Sequence, residues 1–341
     1  MNAPVETAGS GTRTRRPRFE MRLSVTQRGI LIAVAIFVVM FAVYAWKQPG
    51  PLTANIINTA SNKGALLALV AMAQTLPVLV GGLDLSVGAI FVLANCLAST
   101  IVVGNPISTM FGILAVLLVG LLCGTINGVI IVYGRLQPLI VTLAMGAVYF
   151  GISLALRPQP GGSVNFELAD FMTRSTLAVP HSAILLLLVV LFIWIPYRRS
   201  VLGRAAYAIG SAEQAAYMSG VPIERAKILA YALSGLLAAI GGVLLTAITY
   251  SGAAKLSIAN DYTLNSIGAV VIGGTSLFGG VGSAIGSIFG AFVMRTVGDL
   301  LIVFDINPVL QPLFVGVVLL LAVSIGSLRL LRIKNKVDLY R

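Results

Sequence analysis

The chain has 341 residues, of which 58% are hydrophobic and 10% charged, with a mean hydropathy of +0.98. Soluble domains carry about 25% charged residues, so this chain lacks the polar surface to cover itself in water and reads as an integral membrane protein lying in the lipid bilayer. The formal charge of +12 would suggest nucleic acid in a soluble chain, but no interleaving of basic and aromatic residues accompanies it, and nucleic acid is excluded as a partner.

Residues 1–28 are polar and carry Arg13, Arg15, Arg16, Arg18, Arg22 and Arg28, which reads as a basic cytoplasmic tail. No short apolar region with a small-residue cleavage site follows, so the first apolar stretch is expected to be a retained span and not a signal peptide. At roughly 20 residues per transmembrane helix, about ten spans fit the body at 29–328: 29–46, 64–83, 85–103, 107–132, 136–156, 177–197, 228–250, 262–280, 281–302 and 308–328. The expected fold class is therefore an all-α polytopic membrane protein. Two boundaries, Gly81-Gly82-Leu83-Asp84 and Gly279-Gly280, read either as plain turns or as broken, re-entrant backbone, which lipid cannot satisfy. The outer loop from Arg157 to Ala178 reads either as a rim for an external partner or as a solvated connector. His181 is expected to be structural, and Cys96 and Cys123 are expected to be small packing residues.

Gly120, Gly124 and Gly128 repeat at a spacing of four, as do Gly282, Gly286 and Gly290. In lipid such stripes let helix backbones approach closely. Gln74, Asn95, Asn127 and Gln137 are polar groups in or beside spans and read either as packing amides near helix ends or, with Tyr149 and Phe150, as candidates for lining a translocation path. Asp84 is the charged member of that region, and it is expected to accept backbone N–H bonds at a helix start.

The long polar interruption is Tyr197–Lys227, with Arg198, Arg199, Arg204, Arg225 and Lys227 against Glu213 and Glu224. Ser211 as N-cap and Gln214 at N3 predict a capping box opening a short helix over 212–218. Gly220 and Pro222 predict its end. A helix this short is unstable alone, so it either joins two spans at the membrane surface or docks a cytoplasmic partner. The docking residues are then Ser211, Ala212, Glu213, Gln214, Ala215, Ala216 and Gly220.

With the amino terminus inside, seventeen basic residues fall in the tails, at Arg135 and in the loop 198–227, including the carboxy-terminal segment 329–341. Six (Lys47, Lys63, Arg157, Arg174, Lys255 and Arg295) fall outside or near the outer boundary. The positive-inside bias thus predicts an even number of spans and two cytoplasmic termini. No nucleotide loop, zinc pair or nucleophile elbow is present, and no metal or cofactor is expected in the chain. A pathway powered from elsewhere is the reading the residues leave. A secondary transporter or channel for a small polar solute, and a scaffold that passes nothing, stay open beside it.

The ordered motifs GGLDLSVG at 81–88, NGVIIVYGRLQPLIVTLAMGAVYFG at 127–151, GRAAYAIGSAEQAAYMSGV at 203–221 and GGTSLFGGVGSAIGSIFGA at 273–291 resemble the permeases of bacterial ABC importers of the ribose, xylose and galactose branch, which are related to the branched-chain amino-acid permeases. The resemblance implies a fold like the vitamin B12 importer permease, with spans two to five and seven to ten related by an inverted repeat. It implies a bacterial inner-membrane permease for a pentose, hexose or related polyol. The implied partners are a second permease copy or paralogue, two cytoplasmic subunits that bind ATP and Mg, and a periplasmic sugar-binding protein. It also implies that 203–221 carries the coupling helix. Relatives commonly have Gly-Asn where this chain has Ser211-Ala212; with Ser211 as cap the resemblance still implies coupling, and the choice of ATPase partner stays open.

Overall fold

The structure is a computed structural model that describes residues 24–177, 179–318, 320 and 324. The tail arginines up to Arg22 and the basic segment from Arg329 lie outside the described residues, as does much of the carboxy-terminal half of the expected last span. The described elements are helices apart from an antiparallel pair of two-residue strands, β1 (Ser175–Thr176) and β2 (Val179–Pro180).

The chain enters at α1 (Val25–Lys47), where Ser24 and Gln27 form a reciprocal capping box. It then runs through α2 (Ala54–Leu79), α3 (Val87–Ile101), α4 (Pro106–Tyr133) and α5 (Pro138–Leu156). Thr53 and Asn105 cap α2 and α4. Pro106 and Pro138 stand at the first helical positions, where a missing N–H costs nothing. The short α6 (Phe166–Thr173) and the strands lead to α7 (His181–Val189), which passes through a π-helical turn, Val190–Trp194, into α8 (Ile195–Arg199). After α9 (Val201–Ser211) and α10 (Glu213–Met218), the chain returns through α11 (Ile223–Thr249), α12 (Leu256–Ile272) and α13 (Ala284–Val303) to a helical stretch Pro308–Val318.

Among the described residues, seven helices are long and apolar enough to cross a membrane: α1, α2, α4, α5, the continuous α7–α8 rod, α11 and α13. The expectation of ten plain spans is corrected at two places. Residues 85–103 hold only the 15-residue α3, and 262–280 is replaced by the 17-residue α12, which begins earlier and stops at Ile272. The expected span 308–328 lies partly outside the described residues, which show a helix over Pro308–Val318. The cause at both corrected places is backbone that leaves the helix inside the protein. Gly81 (φ +80°) and Gly274 (φ +80°) turn left-handed, a conformation that costs a side-chain-bearing residue energy. The following segments, 80–86 and 273–283, are non-helical.

Both breaks lie at one end of the bundle, which also carries Arg135, α9 and α10 and so is the basic end. They touch each other: the Gly280 N–H donates to the Leu79 carbonyl at 3.1 Å. At the opposite end the loop after Arg157 folds back over the bundle. Asn165 N donates to Val102 O, Asn58 and Asn62 donate through Nδ2 to Thr173 O, and Gly161 pairs with Gly252. Arg157 joins this clasp through Ser99. His181 holds it locally, its ring against Phe171 and its nitrogens on Thr176 Oγ1 and Phe171 O.

The core is α2, α3 and α11. Every residue of α2 from Gly64 to Leu79 is buried, as expected of a helix that is apolar all round. The glycine stripe of α4 packs on α11: a Cβ on Gly120 would stand 2.6 Å from the Gly235 carbonyl, and one on Gly124 2.1 Å from the Tyr231 carbonyl. Gly128 likewise faces Ile228. The opposite stripe of α4, including Leu114, Leu118 and Leu122, is exposed and forms a lipid face. Gly286 and Gly290 of α13 pack on Gly273 and Ala269. Gly282 is a correction: it precedes α13 in the break, against Thr275, and is not part of a helical stripe.

Gly124→Ala should therefore lower the thermal stability of the detergent-purified protein by about 1–3 kcal/mol, since backbone blocks the new methyl. Gly151→Ala, where nothing lies within 4 Å, should leave it unchanged or slightly raised. Equal melting of the two variants, followed by size-exclusion, would refute close helix approach at Gly124.

Candidate functional site

The basic end presents one protruding element. α10 rests on the body mainly through Ala216, the one buried residue of the helix, while Tyr217 and Met218 are 76% and 87% exposed. Glu213 is tied to Lys227 of α11, with Oε1 2.6 Å from Nζ. Gly220, at φ +71°, closes the helix, with its N–H on the Tyr217 carbonyl and that of Val221 on the Ala216 carbonyl. Beside α10 lies a cavity of about 640 Å³ bordered by Gly82, Arg135, Glu213, Arg225 and Tyr231.

The expected capping box does not form. Ser211 is the last residue of α9, and its hydroxyl donates back to the Tyr207 carbonyl at 2.8 Å. Ala212 takes the N-cap position with extended backbone and no side-chain acceptor, and Gln214 has no capping role. The hydroxyl is drawn off because the chain stays helical one residue longer than the pattern implied, and a serine at a helix end readily bonds the carbonyl four residues back. Ala212, Glu213, Gln214 and Ala215 all face solvent.

α9 connects this exposed helix to the breaks. Gly210 lies so close to the Leu79 carbonyl and the Gly280 nitrogen that a Cβ there would stand 2.0 and 2.3 Å from them. Tyr207 OH donates to the Gly282 carbonyl at 3.0 Å. α10 is thus the tip of a lever whose base sits on both interruptions of the bundle.

The first break is built around a fully buried carboxylate. Asp84 Oδ1 accepts from the backbone N–H and hydroxyl of Ser86, and Oδ2 accepts from Ser234 of α11 at 3.1 Å. Asp84 does accept a backbone bond near a helix start, from the N-cap residue itself. The network continues: Asn127 Nδ2 donates to Ser86 Oγ at 2.8 Å, and Tyr149 OH reaches Asn127 Oδ1 and the Cys123 carbonyl. Thr142 Oγ1 accepts from Leu85 N. With its amide oriented to match its neighbours, Gln74 pairs with both the N–H and the carbonyl of Asp84, at 3.2 and 2.9 Å. Nearer the other end, Asn95 donates to Thr246 and the Ser251 carbonyl and accepts from Ala253 N.

Four of the six candidate path residues, Gln74, Asn95, Asn127 and Tyr149, are therefore buried and bonded to protein within one chain. Phe150 packs partly buried against the core, and Gln137 is exposed at the start of α5. The structure brings Asn127 and Tyr149 together and gathers Gln74 around Asp84, but it leaves Gln137 apart. Ser234, Thr142, Tyr207 and Gly210 were not singled out by sequence. Ser234 lies 150 positions from Asp84, and no local spacing signals such a pair.

A family profile described as "Branched-chain amino acid transport system / permease component" matches residues 56–323. The ribose import permease protein RbsC of Bacillus subtilis is 34% identical over 275 residues, covering 79% of this chain and 83% of that protein. The D-allose transport system permease protein AlsC of Escherichia coli is 28% identical over 313 residues, covering 91% and 94%. The fructose import permease protein FrcC of Rhizobium meliloti is 33% identical over 273 residues, covering 77% and 75%. No solved structure matches the chain.

Ser234→Ala removes a donor from a buried carboxylate and should destabilise the protein by about 1–3 kcal/mol. Ser219→Ala, on the exposed surface, should shift stability by less than about 0.5 kcal/mol. Comparable detergent melting of the two would show that the Asp84 network contributes little.

Proposed function

The chain belongs to the branched-chain amino acid transport system / permease component family, and from that premise we propose that it is the membrane-spanning permease of an ATP-driven monosaccharide importer. The observation that carries the reading is its similarity, along most of the chain, to proteins named for ribose, D-allose and fructose transport. The subunit is not itself an enzyme; ATP and Mg are bound and ATP is hydrolysed in separate subunits.

In this reading the basic end faces the cytoplasm of a bacterium, where positive charge accumulates. The body 29–328 lies in the inner membrane, flanked by the tails 1–28 and 329–341. The loop 198–227 meets two ATPase subunits, and α10 acts as the coupling helix. Its exposed Tyr217 and Met218 suit insertion into a partner cleft, and its seat on both breaks gives a route for force into the bundle. A second permease copy completes the path, and a periplasmic binding protein delivers sugar at the opposite end.

The inverted repeat is part of the proposal. Its support is a reciprocal packing pattern: α11 packs on α3 and α4, while α2 packs on α12 and α13. Exchanging α2 with α11, α3 with α12 and α4 with α13 maps one set onto the other and reverses the chain direction. An inverted repeat of this kind, as in the vitamin B12 importer permease, suits alternating access.

Reconstituted with its copurifying ATPase and candidate sugar-binding proteins, the complex should show sugar-stimulated ATP hydrolysis. Tyr217→Ala with Met218→Ala, or Gly220→Val, should lower that stimulation about tenfold or more, a loss of roughly 1.4 kcal/mol of coupling, with membrane insertion intact. Ser211→Ala should stay near the parent because its hydroxyl does not cap α10. Solute flux driven by an ion gradient with no ATPase bound would replace the importer by a secondary transporter.

A further inference from the structure

Charged groups stand within the helices in the half of the bundle opposite the basic end. Lys63 lies nine residues into α2 and Arg295 eight residues before the end of α13. At 1.5 Å per residue these are about 14 and 12 Å from the helix ends. Asp261, five residues into α12, lies about 8 Å in. Together with Tyr262, Asn265 and Gln311 they border a cavity of about 540 Å³, within the range of about 300–1,000 Å³ usual for small-molecule sites. From sequence, Lys63 and Arg295 read as charges outside or near the outer boundary; the structure sets each within a helix, some turns from its end.

Among the described residues, the side chains of Lys63, Asp261 and Arg295 make no hydrogen bond or ion pair within 4 Å to protein, unlike those of Gln74, Asn95, Asn127 and Tyr149. Arg295 Nε is buried without a hydrogen bond. Among the described residues, the ion pairs within 4 Å are Arg174–Asp170 and Lys227–Glu213, so neither Lys63, Asp261 nor Arg295 is neutralised at that range. Asp299, one turn beyond Arg295 on α13, does not pair with it at that range either. Asp261 is exposed on the cavity face of α12, and Asn260 is exposed beside it. Lipid would leave a carboxylate and an amide unsatisfied there, and ionisable groups within membranes face protein or water. That face of α12 therefore borders a hydrated space.

We propose that this cavity is the sugar-handling vestibule of the permease, with Lys63, Asp261, Asn265, Arg295 and Gln311 as its hydroxyl-binding groups. The proposal rests on the monosaccharide-importer reading and names the site through which that solute passes. The chemistry fits a neutral polyol. A guanidinium offers a fork of donors, a carboxylate two acceptors, and each amide both, so vicinal hydroxyls can be met in pairs. An uncharged solute meets these groups through hydrogen bonds alone, with no ion pairing, which favours passage over tight retention. Tyr262, its ring centroid 4.5 Å from that of Phe91, fixes the back of α12 against the core.

The test uses the intact complex in proteoliposomes, with D-ribose, D-allose and D-fructose each supplied with its binding protein. For whichever sugar the parent takes up, Asp261→Asn and Arg295→Gln should reduce uptake about tenfold, while binding-protein-stimulated ATP hydrolysis stays within about twofold, the split expected of lost solute contacts and not of lost assembly. Asn265→Cys should be modified by a small charged thiosulfonate, and turnover with the transported sugar should slow that modification. Cys96 and Cys123 are buried and should not compete. Uptake near the parent level, or uptake and hydrolysis falling together in assembled complexes, overturns the vestibule. If Arg295→Gln does not assemble, the Asn265→Cys reaction decides: no modification, or modification indifferent to sugar, overturns it. A parent complex with no ATP-driven uptake of any of the three sugars fails the importer reading itself.

Discussion

A carboxylate sealed from water must have its charge met by the protein, and the Asp84 side chain is fully buried. It is met by Ser86 from its own loop and by Ser234 from α11, while the backbone of Asp84 is held by Gln74 of α2. The break between α2 and α3 is therefore a fixed structure with its peptide groups accounted for, as non-helical backbone at membrane depth has to be. Any movement of α11 relative to α2 and α3 must carry the carboxylate's partners along or leave them unsatisfied, at a cost well above that of an ordinary lost hydrogen bond. Such a network favours motion of the α2–α3–α11 core as one body.

The second break meets the first without side chains. Gly279 and Gly280, both left-handed, lie against Gly210 and Gly81, and a Cβ at Gly279 would stand 2.8 Å from the Gly210 Cα and 2.9 Å from the Gly81 nitrogen. Backbone packed on backbone at this distance leaves no compliant layer of side chains between α9 and the interrupted helices. In the proposed coupling role, a displacement of α10 would be passed to both breaks, because interfaces so close-packed move between discrete arrangements and do not deform continuously.

Much of this was legible in the chain, and the rest was hidden for physical reasons. The glycine stripe at Gly120, Gly124 and Gly128 announces a close helix contact, but not that the partner is α11. The short α10, its end at Gly220 and the buried cysteines follow from local chemistry. The Ser211–Gln214 box failed because Ser211 remains the last residue of α9, where its hydroxyl donates back to the Tyr207 carbonyl and its backbone does not stand at the start of α10. The ten-span count overreached because hydropathy measures how apolar a stretch is and not whether it stays helical. Residues 80–86 and 273–283 are apolar enough to be counted into spans, and only their glycines hint at the breaks. Burial partners 150 positions apart, such as Asp84 and Ser234, leave no periodic trace.

Polar residues within the membrane divide into two groups that sequence cannot separate. Gln74, Asn95, Asn127 and Tyr149 have their hydrogen bonds completed by protein and act as ties between helices. Lys63, Asp261 and Arg295 stand apart, at a depth where bearing a charge is costly and with no ion pair to offset it. A tie is improved by satisfying its groups, and a charged set left without ion pairs around a cavity fits the proposed vestibule better than it fits a tie. The cost of keeping it is explained if the missing partner is transient, arriving and leaving with the hydroxyls of a passing solute. Conduction requires sites that bind well enough to admit a solute and weakly enough to release it, and groups left free by the fold meet that requirement where the tied amides do not.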